Sequence, residues 1–218
     1  MNLKIRSFCS WSGGKDSCLS LAHALRQGCD VRVLLSMLAE DGQHSRSHGL
    51  EKELLRAQAS ALGIPIEFSP AAWDQYEACF LARLISFKEQ NIEAGIFGAI
   101  DIEENRQWVE KVCQEAGLAA ILPLWKKDRR SLLFEFINLG FRAVMVAVKS
   151  ELLEESRLGR SLDLTMIEEF QRLGIDASGE NGEYHTFVYD GPLFRHRVIY
   201  QAGGILKRDG YSFLELTP

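Results

Sequence analysis

The stretch Ser10-Trp11-Ser12-Gly13-Gly14-Lys15-Asp16-Ser17 constrains this chain more than any other. A short run anchored by Ile5 and Phe8 precedes it, and a segment with Leu21, Ala22 and Leu25 on one helical face follows. The pattern predicts a strand, a tight glycine turn and a helix. Such a turn presents free backbone N–H groups at a helix start, where the dipole favours anions. Gly13 and Gly14 allow close backbone approach; Ser12 and Ser17 add hydroxyls and Lys15 adds a charge. The stretch is a phosphate cradle. It is not a Walker A loop, because Cys9 stands where that motif needs its first glycine. A carboxylate beside a phosphate site is repulsive unless a cation lies between them, so Asp16 implies Mg2+ held by carboxylate and phosphate together.

The first half alternates strand and helix, the signature of a parallel sheet covered on both faces. Val31 to Leu38 has strand length. Ligands sit outside the carboxyl ends of strands in such sheets, so Met37 reads equally as core and as backbone for an adenine edge. His48 is expected to open a helix that ends at Gly63, with Leu50, Leu54, Ala57 and Ala61 inward. His44 and His48 lack a third ligand for a metal, but His48 lies at a strand mouth where a phosphate-bearing ligand is expected. Ile64–Phe68 and Ala94–Ile100 read as strands; Trp73–Gln90 and Glu103–Ala116 read as helices. Lys126, Lys127, Arg129 and Arg130 read as a solvated helix entry. After Pro123 come a helix through Leu132, Leu133, Phe136 and Ile137, a strand over Phe141–Val148, a helix before Gly174, and turn-bounded strands to Leu216. The expected division is an α/β domain over 1–122 and a smaller α+β part over 123–218.

A net charge of −5 over 218 residues gives no reason to expect bulk nucleic-acid binding. Five scattered cysteines without metal or redox spacing suit reduced thiols in a cytosol. No apolar run reaches membrane-spanning length and no secretory h-region opens the chain, so a cytoplasmic protein without membrane contact is expected.

The second informative stretch is Gly179-Glu180-Asn181-Gly182-Glu183-Tyr184-His185-Thr186. If extended, it points Glu183 and His185 to one face, where a carboxylate can orient an imidazole or bind an ammonium group. A solvated turn is the plainer reading.

Ser-Gly-Gly-Lys-Asp-Ser resembles the pyrophosphate loop of the N-type ATP pyrophosphatases. With Ser47-His48-Gly49, Gly98-Ala-Ile-Asp101, Arg106, Leu124-Trp125 and the Glu-x-Gly-Glu-Tyr segment in this order, the chain resembles the diphthine–ammonia ligase family from about residue 5 to about residue 200. The resemblance implies a Rossmann-like, adenine nucleotide α-hydrolase (HUP-type) fold. It implies that ATP adenylates a carboxylate with loss of pyrophosphate, and that ammonia then displaces AMP. In that family the acceptor is diphthine on elongation factor 2, in organisms that make diphthamide.

Carried over by position, Ser12, Gly13, Gly14, Lys15, Asp16 and Ser17 hold phosphates and Mg2+, with Met37, His48 and Gly98 completing the nucleotide set. Asp101, Arg106, Glu180, Asn181, Gly182, Glu183, Tyr184 and Thr186 fall to the acceptor and ammonium. Lys15, Asp16, Glu183 and His185 are the catalytic candidates, the last two acting after ATP binding because they lie so far along the chain. Asn181 and His185 depart from a glycine and a glutamate of the family pattern, which leaves another acceptor open, a small molecule or a tRNA base. A nucleotide sensor without turnover is the alternative from another class. A homodimer is compatible with the resemblance.

Overall fold

The computed structural model describes residues 4–218. Five parallel strands, β1 (Arg6–Ser10), β2 (Asp30–Leu38), β3 (Ile66–Pro70), β4 (Ala94–Ile96) and β5 (Ala119–Ile121), lie in the order β3-β2-β1-β4-β5. The chain therefore fills one side of β1 first and then the other. The reversal falls between β1 and β4, and the crevice at their carboxyl ends is where an open α/β sheet receives its ligand.

Alternating side chains explain why both faces are covered. Cys9 and Leu34 point into one core with α1 (Lys15–Arg26) and α2 (Lys52–Leu62). Their neighbours Phe8 and Leu35 point into a second core with α3 (Tyr76–Glu89) and α4 (Glu103–Glu115). There Phe8 meets Phe97 edge-on at 5.7 Å and Phe87 at 5.3 Å, packing that adds to plain burial.

The remainder forms an antiparallel sheet in the order β7-β6-β9-β8, from β6 (Arg142–Lys149), β7 (Tyr184–Asp190), β8 (Gln201–Arg208) and β9 (Tyr211–Thr217). The helices α5 (Arg129–Asn138) and α6 (Leu164–Leu173) precede β6 and β7 respectively. Val144, Val146, Phe187 and Phe170 belong to the same buried cluster as Leu21 and Leu54. The second sheet thus packs on the α1/α2 side of the first. No helix among the described residues is long and apolar enough to cross a membrane.

Several expected boundaries move. The second helix opens at Lys52, and His48 lies in the loop before it. That loop is pinned on itself: Ser45 N–H donates to Leu50 O at 2.7 Å and Leu50 N–H to Ser45 Oγ at 3.0 Å. Gly49 takes φ 65°. The strand expected over Ala94–Ile100 stops at Ile96, and Ala119–Ile121 forms a strand with too few residues to signal one. Gly63 and Gly174 end their helices in the left-handed conformation at φ 69° each, as C′ glycines do.

One buried side chain ties the layers together. Gln58, 0% exposed on α2, accepts from Trp11 Nε1 at 3.0 Å. Its Nε2 donates to Gly13 O at 2.9 Å and to Val188 O at 2.6 Å. Gln58→Leu keeps the bulk and leaves a buried indole N–H and carbonyls short of partners. A loss of about 2–4 kcal/mol is expected, read as a melting point lower by roughly 5–15 °C. A melting point within 2 °C of wild type would contradict the role given to Gln58.

Candidate active site

The phosphate loop sits at the reversal point of the parallel sheet. After β1, Trp11 N–H donates to Leu35 O at 2.8 Å, and Gly13 turns the chain with φ 79°. A Cβ there would lie 2.7 Å from Gln58 Oε1 and from Leu55 Cδ2, so both backbone angle and space require glycine. Gly14 begins α1 in an extended conformation with no side-chain cap, which leaves the helix start turned toward the crevice. Ser12 Oγ receives the Gly14 N–H and lies 3.2 Å from Ser17 Oγ. Lys15, 6% exposed, pairs through Nζ with Asp16 Oδ2 at 2.7 Å. Burial works against the ammonium charge, but Asp16, Tyr184 and Glu180 outweigh it and hold the Lys15 pKa above its ordinary value.

The second motif docks on this loop. Thr186 Oγ1 accepts the Lys15 N–H at 3.1 Å across 171 residues of sequence. Val188 N–H donates to Gly13 O at 2.9 Å. The Tyr184 ring lies 5.6 Å from Lys15 Nζ, and its hydroxyl is fixed by Ala177 O at 2.6 Å. Glu180 shares a cavity of about 340 Å3 with Ser12, Asp16, Ser17, Gly98 and Asn105. Burial and the neighbouring Asp16 push its carboxyl up to about 7, with Lys15 and Arg129 pulling the other way. The late motif is thus in contact with the early loop across the whole length of sequence between them.

The other members of that motif separate by role. Glu183 is buried and accepts from Asn181 N–H at 3.0 Å and Asn181 Nδ2 at 3.2 Å, so its carboxylate closes its own turn. Gly182, at φ 79°, gives its carbonyl to Tyr211 Oη at 2.8 Å. His185 packs on His48 with ring centroids 4.6 Å apart. A Cβ on Gly14 would come within 2.6 Å of His48 Nε2, so this imidazole stands against the loop. Burial, His185 and Lys15 together push the His48 pKa well down, and among the described residues its buried Nδ1 has no partner. Burial and Lys15 bring His185 down to about 4, so both rings are neutral at pH 7.

A second cavity, of about 420 Å3, runs from Ser10 and Ser12 past Met37 to Tyr76 and Trp108, with His48 on its wall. It has the apolar and aromatic lining of a nucleoside site. Asp101 and Arg106 stand outside both cavities. Arg106 pairs with Glu103 and Glu110 on its own helix and covers Trp125 at 5.4 Å. Asp101 grips Arg129 through both oxygens, at 2.7 and 2.6 Å, and Arg129 also holds Asp176. Arg129, expected in a solvated cluster, is instead a clamp between the β4 side of the crevice and the turn that carries Glu180; that role needs partners remote in sequence. The five cysteines are free, and burial raises Cys9, Cys18 and Cys113. Among the described residues no three His, Cys, Asp or Glu side chains are grouped to hold a metal unaided.

Residues 5–120 match the family described as the diphthamide synthase N-terminal domain, and residues 128–210 match the diphthamide synthase C-terminal domain. A zebrafish (Danio rerio) protein named diphthine–ammonia ligase is 29% identical over 88% of this chain and 84% of its own length. A fission yeast (Schizosaccharomyces pombe) protein of that name is 30% identical over 86% of this chain, which spans 35% of it. A solved structure described as a predicted subunit of tRNA methyltransferase from Methanocaldococcus jannaschii aligns with 84% of this chain and 96% of that one. Its TM-score is 0.46 at 14% identity.

The raised Glu180 carboxyl sets a pH dependence. A folded pKa of about 7 against an ordinary 4.5 means the folded state holds this proton more tightly. Its stabilising share is complete below about pH 4 and is lost as pH rises to 7, roughly 2–3 kcal/mol in all. Glu180→Gln removes that loss in the nucleotide-free protein. The variant's melting point, relative to wild type, is expected to rise between pH 5 and pH 8; an unchanged difference would place Glu180 outside this electrostatic group.

Proposed function

Because the chain belongs to the diphthamide synthase family, we propose that it is an ATP-dependent ligase of the diphthine–ammonia ligase type. A carboxylate oxygen of the acceptor attacks the α-phosphorus of ATP and the α–β bridge breaks, releasing pyrophosphate. Ammonia then attacks the acyl-adenylate carbonyl and AMP leaves. The observation that carries this reading is the convergence of Lys15, Asp16 and Glu180 on one open helix start.

Lys15 and the amides at the start of α1 stabilise the charge that grows on the departing pyrophosphate. Ser12 and Ser17 orient the phosphates. Asp16 and Glu180 fit Mg2+: they are two carboxylates of one cavity whose repulsion is visible in the raised Glu180. Held there, Mg2+ would supply charge neutralisation and polarisation of the phosphates. The aromatic cavity beside Met37 suits the adenosine part of ATP, and Gly98 lies at the phosphate end of the crevice. Gly98 packs closely on Asp16, where a Cβ would meet backbone C at 3.1 Å, tighter than ordinary contact.

Asp101 then acts through Arg129, which steadies the turn bearing Glu180. Asn181, Gly182 and Glu183 shape that turn, and Thr186 and Tyr184 brace Lys15. The neutral His48–His185 pair adds no positive charge beside the loop, and His185 can accept a hydrogen bond from ammonia as it approaches. The working division keeps 1–122 for ATP and 123–218 for the acceptor, with the late motif shared between them. Diphthine is the acceptor the relatives' name points to, and the family resemblance implies that it is carried on elongation factor 2.

With ATP, Mg2+, ammonium and diphthine-bearing elongation factor 2, AMP and pyrophosphate are the expected products; ADP and phosphate would contradict the reading. Asp16→Asn is expected to lower turnover at least about 100-fold with its melting point held. Full activity would remove Asp16 from the mechanism.

A further inference from the structure

A third cavity, of about 360 Å3, adjoins the nucleoside cavity and shares Arg46, Ser47 and Trp73 with it. Its far wall comes from the β8–β9 hairpin, with Arg208, Asp209, Tyr211 and Phe213. His185 lines this cavity and His48 the nucleoside one, so the two packed imidazoles form part of the partition between them, beside Gly14 of the phosphate loop.

The charge in this cavity is distinctive. Arg46 rests on Trp73 at 4.4 Å and donates to Ala71 O, and Arg208 rests on Phe213 at 4.7 Å. Among the described residues neither has a carboxylate partner within 4 Å. Asp209, at the hairpin turn with φ 52°, supplies one negative charge against the two guanidinium groups. The imidazole of His185 is neutral and adds none. Aromatic faces hold both guanidinium planes; Arg46 Nη2 is taken by Ala71 O, which leaves Nη1 of Arg46 and the guanidinium edge of Arg208 for an anion. Phosphate has a separate cradle at the start of α1, and adenosine has the neighbouring cavity.

We propose that this cavity, between the Arg46–Ser47 loop and the β8–β9 hairpin, receives the acceptor, and that Arg46 and Arg208 bind the carboxylate that is to be activated. The proposal rests on the ligase reading above. It moves acceptor recognition away from Glu180–Thr186, where the motif pattern placed it, and onto residues that no motif marked. The shared Arg46–Ser47 edge gives a carboxylate a route to the α-phosphorus, and Arg46 borders both sides of it.

Arg208 tests the idea cleanly, because it lies on an exposed strand and lines only this cavity of the two. Arg208→Glu is expected to raise KM for diphthine-bearing elongation factor 2 at least about 10-fold, the loss of one charge-assisted contact. Its Kd for α,β-methylene ATP should stay within about twofold, and Arg208→Lys should recover part of the KM. An active wild type whose Arg208→Glu variant keeps its KM would overturn the acceptor cavity and leave the ligase reading standing. A wild type that binds the analogue but releases no AMP with this acceptor and ammonium would overturn the ligase reading, and the cavity's role with it.

Discussion

Val188 gives its N–H to Gly13 O at 2.9 Å, and Thr186 takes the N–H of Lys15 at 3.1 Å. These two bonds stitch an edge strand of the antiparallel sheet to the glycine turn of the parallel one. Gln58 closes the seam, since its amide reaches Gly13 O and Val188 O at once. A turn with a left-handed glycine has many conformations in an isolated chain. Here its carbonyls are held from two directions, and the start of α1 faces the crevice in one orientation. Preorganised donors aimed at developing charge are where a phosphate-cleaving site gains most.

The electrostatics follow from that seam. It brings Glu180 and Tyr184 to Lys15 and Asp16, so one buried ammonium faces two carboxylates and a phenol. The carboxylates repel one another, which is costly without a cation and favourable with one. The Arg129 clamp, through Asp101 and Asp176, keeps the Glu180 turn from relaxing outward. On the other side of the loop, burial and Lys15 keep the His48–His185 pair uncharged. The site thus separates a charged side, with Lys15, Asp16 and Glu180, from a neutral imidazole side by the width of one glycine turn.

Much of this was legible in the sequence. The strand–turn–helix around Gly13 and Gly14, the alternation of strands and helices, and the terminal glycines Gly63 and Gly174 each rest on local chemistry, and local chemistry is what a sequence displays. The position of His48 was not, because the loop that holds it is fixed by Ser45 and Leu50 pairing with each other, where periodicity suggested a helix. The strand Ala119–Ile121 was missed because three residues carry no period. Arg129, Arg46 and Arg208 gave no signal, since each acquires its meaning from partners or cavity walls distant in the chain. The same reason separated the two motifs on paper. Only the packing of β7 against α1 makes them one site.

Magnesium-dependent nucleotide binding tests that union most directly. The affinity for α,β-methylene ATP, measured by calorimetry with and without Mg2+, compares wild type with Glu180→Gln. If the late motif completes the early loop, the variant should lose at least about 10-fold of the magnesium-dependent gain, with magnesium-free affinity unchanged or improved by the lost repulsion. An undiminished magnesium gain in a folded Glu180→Gln variant would contradict the shared site.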